Sequence, residues 1–313
     1  MFLKNETSGG VINVVLASFL WGTTGTVASL TPDVSPLATG AFSVGFGGLL
    51  LLINARKSLV HDLKKLIYQS KLLFLGGLSV AIYPLAFYTS MKWSGVAIGT
   101  VISIASAPFF TVVLERLISK KNVSLQWGVS FIFGALGVLL LTLGKQRDMS
   151  FVMEVTTQYW GIVLGLIAGL TYATYSWAAK QLIDNGISSK SSMASMFGIS
   201  AIFLLPSLFV TSDNLFATTT NSVLALYMAI VPMFLGYLLF GLGLRHIAAS
   251  KATLITLLEP VVATLLAIVI VGESFNFNGW LGMALNMLMS TISNWPPIKA
   301  NTKAVPARDK ATG

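Results

Sequence analysis

Long apolar runs alternate along this chain with short polar breaks. They fall near residues 10–30, 35–54, 72–91, 95–114 and 126–144, and again near 160–179, 192–210, 222–244, 252–271 and 279–295. Each approaches the roughly 20 apolar residues that a helix needs to cross a hydrocarbon core about 30 Å thick. Backbone groups that lipid cannot satisfy leave the α-helix as the form for such segments. The pattern predicts an all-α integral membrane protein of ten transmembrane helices. The first run is too long for a signal-peptide core and lacks a small-x-small cleavage site, so it reads as an uncleaved span.

The ten runs divide into two fives. Ala249 and Pro260 stand 152 residues after Ala97 and Pro108, so one unit is written twice. An odd number of spans per unit turns the second upside down, with a pseudo-two-fold axis in the membrane plane. The expected divisions are a first repeat at 1–145, an extracytoplasmic connector at 146–157, a second, inverted repeat at 158–298 and a disordered tail at 299–313. Of the basic residues, all but Lys92, Lys145 and Arg147 fall on the side that holds both ends. Cytoplasmic loops collect Lys and Arg, so both termini are expected in the cytoplasm, with residues 55–71 as a basic amphipathic stretch on the inner surface.

Composition narrows the classes further. The chain is 55% hydrophobic and only 10% charged, against about 25% charged in soluble domains. The net charge of +9 resides in short loops, where it sets orientation rather than marking a nucleic-acid partner. Zero cysteines removes disulfides, thiolate metal sites and cysteine nucleophiles. No cofactor or metal is expected, and neither His61 nor His246 lies at depth.

Polar residues inside the runs carry the functional signal. Counted from Lys251, Glu259 lies roughly 12 Å along its helix, near mid-depth. An ionisable group there is costly and faces a partner or a wet cavity. Glu259 is expected to bind a substrate ammonium or carry a proton, with helix packing as the competing role. Thr253 and Thr256 share its span; Thr100, Ser103 and Ser106 line the corresponding fourth span; Trp21 and Thr24 mark the first; Tyr172 and Tyr175 its counterpart, the sixth. Tyr83 and Tyr88 lie in the third span and Tyr237 in the eighth. Threonine and serine often bond only their own helix, but together these positions outline a cavity of hydroxyls and aromatic faces with one carboxylate. Pro84 and Pro108 match Pro232 and Pro260 in spans three/four and eight/nine, where paired helix breaks point to a midplane site. These four are the expected hinges. The Gly161, Gly165, Gly169 stripe and the glycines at 45, 48, 134 and 137 read first as helix-packing surfaces. Glu115, beside Arg116, is expected at the surface, and Trp177 at the inner aromatic belt.

Two five-span halves, Trp21-Gly-Thr-Thr-Gly-Thr26, Ala107-Pro108, and Leu258-Glu-Pro-Val261 with Gly272-Glu273 resemble the EamA-type branch of the drug/metabolite transporter superfamily over about residues 10–295. The opening motif looks most like the bacterial carboxylate, amino-acid and amine transporters. The resemblance implies a cavity between the halves, lined chiefly by the first four spans of each, with the fifth and tenth peripheral. The chain departs from the pattern at Ala107, which is not acidic, and at Lys121, which stands where the second repeat has Glu273. Small multidrug relatives couple protons through a first-span glutamate that is missing here, which leaves Glu259 for that role.

The expected function is secondary transport across the bacterial cytoplasmic membrane. The cargo is an amino acid or related amine, moved outward by alternating access, with a small-molecule substrate, the bilayer and a proton as partners and a homodimer as one possible assembly. Efflux of lipophilic cations is the alternative. An intramembrane enzyme is the remote one, because no second mid-membrane acid, His-Glu-x-x-His or nucleophile–base pair is present.

Overall fold

The computed structural model describes residues 2–144, 155–212, 214–272 and 274–295. Ten helices follow in order: α1 (Phe2–Ser29), α2 (Pro36–Tyr68), α3 (Ser70–Ser94), α4 (Val96–Leu117) and α5 (Leu125–Gly144). The second five are α6 (Val155–Asp184), α7 (Ser189–Thr211), α8 (Thr219–His246), α9 (Ala249–Val271) and α10 (Phe277–Asn294). The expected connector lies outside the described residues up to 154, and α6 already begins at Val155. The tail at 299–313 and Glu273 also lie outside them.

Among the described residues, α1 to α9 are long and apolar enough to cross a membrane. The tenth run forms a helix of 18 residues, diluted by Asn278, Asn286 and Asn294. The stretch at 55–71 is not a separate surface segment. It continues α2, whose 33 residues span about 50 Å at 1.5 Å per residue. Turns end the helices where the residues demand it. Gly95, at φ 87°, lets α3 turn directly into α4, and Gly272, at φ 80°, stops α9. Ser188, Thr218 and Asn276 cap α7, α8 and α10 by accepting backbone N–H bonds.

The main pairings between the halves have copies in which every helix is exchanged for the one five places along. The packing of α3 on α6 is matched by α8 on α1, α4 on α6 by α9 on α1, and α3 on α7 by α8 on α2. Helices that correspond under this exchange cross antiparallel. Along α2, Gly45 faces Leu205 and Gly48 the carbonyl of Phe197; along α5, Gly134 faces Met289 and Gly144 the backbone of Gly279. Two equivalent helices that run in opposite directions require an axis across the bundle. The second half is therefore inverted.

The halves differ in helix form. Around Pro232, α8 widens to a π-helix at Ala229–Leu235, and α9 tightens to a 3-10 turn at Thr256–Leu258 and widens again at Ala267–Val271. Their counterparts α3 and α4 stay α-helical through Pro84 and Pro108.

Candidate functional site

A cavity of about 60 Å³ lies between the two halves. The outer half of α1 supplies Trp21 and Thr24, the start of α2 supplies Gly40, Ser43 and Val44, and α3 supplies Tyr83, Pro84, Phe87 and Tyr88. From the second repeat come Tyr172 and Tyr175 on α6, Met233 and Tyr237 on α8, and Glu259 on α9. Because α1 and α3 run away from the basic end and α2 runs toward it, these positions place the cavity from mid-bundle toward the opposite end.

The position of Glu259 follows from its neighbour. Pro260 has no N–H, so the carbonyl of Thr256 loses its usual i+4 donor. The Glu259 N–H takes that carbonyl instead, which makes the 3-10 turn. The local rewinding leaves Glu259 half-buried at the cavity wall. Its carboxylate forms no hydrogen bond or ion pair with another described residue, and no Lys, Arg or His lines the cavity.

An aromatic cluster forms the rest of the wall and its floor. Tyr172 and Tyr175, three apart on one helix face, stack with centroids 5.2 Å apart. Trp21 tilts over Tyr237 at 4.8 Å and donates from Nε1 to the carbonyl of Pro232 at 2.9 Å. Tyr172 donates to Thr256 Oγ1 at 2.9 Å, and the Tyr175 and Tyr237 hydroxyls share a bond of 3.2 Å. The hydroxyls of Tyr83 and Tyr88 have no such partner among the described residues. Gly40 admits Tyr88, since a Cβ there would lie 2.5 Å from its ring.

Of the residues expected at the site, Trp21, Thr24, Tyr83, Tyr172, Tyr175, Tyr237 and Glu259 line this cavity, with Pro84 beside them. The fourth-span hydroxyls do not. Thr100 bonds Met91 Sδ at 3.3 Å, Ser106 abuts Gly169, and Ser103 is fully buried with its hydroxyl unpartnered. Thr253 and Thr256 spend their hydroxyls on backbone carbonyls one turn back, at 3.1 and 2.8 Å. Pro108, Pro232 and Pro260 do not line the cavity. Gly40, Ser43, Val44, Phe87 and Met233 were not anticipated. Phe87 sits one turn from Tyr83 and was the readable one; small residues in α2 look the same as packing positions.

Below the cavity, the basic end of the bundle is shut. Phe240, Leu244, Ala249 and Ala252 are fully buried. Glu115 is not at the surface: it is 4% exposed and accepts the N–H of Ala249, at the start of α9, at 3.0 Å. Its adjacency to Arg116 hid this, because α9 begins over it in the fold. Trp177 is likewise inside, donating to Ser119 at 2.9 Å rather than sitting in a lipid belt. Lys180 donates to the Leu244 carbonyl at 2.9 Å and pairs with Asp184 at 3.0 Å, which Lys121 also meets at 3.5 Å. The ends of α4, α6, α8 and α9 are thus tied together.

A family model described as the EamA-like transporter family matches residues 8–143 and again 159–294. This chain belongs to the EamA-like transporter family. Within similar proteins, an uncharacterized transporter of Bacillus subtilis strain 168, YwfM, is 33% identical over 290 residues, 92% of this chain and 95% of that one. The uncharacterized inner membrane transporter YicL of Salmonella typhimurium is 25% identical over 295 residues, 90% and 93% of the two chains. A crystal structure at 15% identity superposes with a TM-score of 0.77 over 92% of this chain and 96% of the other, which carries the fold alone. The two EamA-like segments coincide with the two five-helix halves seen in the packing, and the chain is a multi-pass membrane transporter.

Proposed function

We propose that this EamA-like chain is a secondary transporter that carries a small amine-bearing solute, an amino acid or a related amine, outward across the bacterial cytoplasmic membrane. The observation that supports it is the carboxylate of Glu259, unpaired among the described residues, in an aromatic cavity between inverted halves. A carboxylate held in low dielectric without a partner favours a cation strongly. The cavity has room for only a few waters, so a solute enters when one repeat rocks against the other about the site. With the basic end in the cytoplasm, this structure is the form closed to the cytoplasm.

Efflux of lipophilic cations is the second reading, favoured by the ring faces of Trp21 and the tyrosines. On either reading Glu259 also serves as the proton carrier, since no other acid among the described residues lines the cavity. Two repeats with their own boundaries near 145 and 158 then act as the moving bodies.

The test is counterflow in proteoliposomes with a panel of labelled amino acids, polyamines and one lipophilic cation, with and without an imposed pH gradient. Saturable counterflow of an amine-bearing solute is expected, accelerated by the gradient in the natural chain and not in Glu259→Gln. Flux of the lipophilic cation alone moves the function to drug efflux. No saturable flux of any of them overturns the reading.

A further inference from the structure

The polar groups of the cavity discriminate among amine-bearing solutes. Among the described residues, the wall groups without a hydrogen-bond partner include the Glu259 carboxylate and the hydroxyls of Tyr83 and Tyr88, with Thr24 beside them. The carboxylate lines the same cavity as both tyrosines. A carboxylate only accepts hydrogen bonds, and a tyrosine oxygen can accept one as well as donate. When a solute displaces water, each such acceptor left without a donor costs the desolvation of that group. A primary ammonium carries three N–H donors on one charged atom, which matches this set.

A carboxylate on the same solute is received less well, because only neutral hydroxyls can donate to it. No Lys, Arg or His among the described residues lines the cavity, so the second charge of a zwitterion enters without an ion-pair partner, in the field of Glu259. A quaternary ammonium satisfies the charge and the ring faces but brings no N–H, and leaves the acceptors of Glu259, Tyr83 and Tyr88 bare. Val44, Phe87 and Met233 give the wall an apolar part that suits a hydrocarbon body.

We infer that the solute is a primary amine with an apolar body and no carboxylate. This narrows the substrate class within the transporter reading and rests on it. It separates the amine from both the amino acid and the quaternary cation on chemistry present in the wall.

The test is equilibrium binding by isothermal titration calorimetry to the purified full-length protein in detergent, with four solutes of one skeleton: phenethylamine, phenylalanine, 3-phenylpropionate and N,N,N-trimethylphenethylammonium. Phenethylamine is expected to bind at least about tenfold more tightly than each of the others. Glu259→Gln is expected to abolish that preference, and the Tyr83→Phe, Tyr88→Phe double variant to shrink the gap between the primary and trimethylated amines while leaving the protein folded. Equal or tighter binding of phenylalanine overturns the inference while leaving amino-acid transport standing. Equal or tighter binding of the trimethylated cation overturns the primary-amine assignment in favour of an aromatic cage. Binding by none of the four, with counterflow of another solute intact, overturns it too. Loss of all counterflow with phenethylamine binding intact sinks the transporter reading instead.

Discussion

At the scale of single residues, two buried contacts decide what the site and its closure are worth. Glu115 accepts the Ala249 N–H at 3.0 Å in a dry setting. Glu115→Ala leaves that donor bare and is expected to cost about 1–3 kcal/mol, whereas Glu115→Gln keeps an acceptor and loses less. Thermal unfolding of the purified protein in detergent checks the order; equal losses would mean the contact is incidental. Tyr172→Phe removes one bond, onto Thr256 in the 3-10 turn, and is expected to cost about 1 kcal/mol by the same measurement. Legibility followed depth along the helix. Glu259, Trp21 and Tyr172 stood out because polar or bulky aromatic side chains at mid-span need a reason. Gly40 and Ser43 did not, since small residues serve a cavity wall and a helix crossing alike, and Ser103 looked like a lining hydroxyl until α6 was seen lying over it.

At the scale of helices, the 3-10 turn in α9 is the local result of one missing N–H. Pro260→Ala returns the donor to the Thr256 carbonyl, so the helix is expected to straighten and draw Glu259 away from the cavity. Stability should hold or rise while saturable counterflow falls; a variant that transports normally would show that the turn has another cause. The crossing of α2 and α7 depends on Gly48, where any Cβ meets the Phe197 carbonyl. Gly48→Leu is expected to destabilise by about 1–3 kcal/mol or more, read as a lowered unfolding temperature. The ten-span count and the five-plus-five division were readable from apolar runs alone, because lipid enforces helices long enough to cross. The π-helical stretches were not: prolines occur in both repeats, and only α8 and α9 depart from α-helix around them.

Over the whole molecule, inversion and the basic end together set an order of access. Thr24 lies at the outer side of the cavity wall, while Leu244 is buried in the closed end. The chain has no cysteine, so single replacements report without interference. Thr24→Cys is expected to react with a membrane-impermeant maleimide added outside cells, and Leu244→Cys to resist reagent from either side until a transported solute is supplied. Reaction of Leu244→Cys in the resting protein would contradict a shut basic end. The arrangement of the halves was legible because an odd number of spans forces inversion. The closed state was not, since it depends on Glu115, Lys180 and Asp184 meeting partners more than sixty residues away.

The asparagines of α10 bear on how the chain is made. Asn286 is fully buried, donates to the Gly282 carbonyl at 3.1 Å, and packs against Gly137 of α5. A segment this polar partitions poorly from a translocation channel into lipid by itself. It also leaves the ribosome after α1 to α9 have been made. The glycine face of α5 must therefore stay vacant while α6 to α9 are made, and it fills only when α10 docks there.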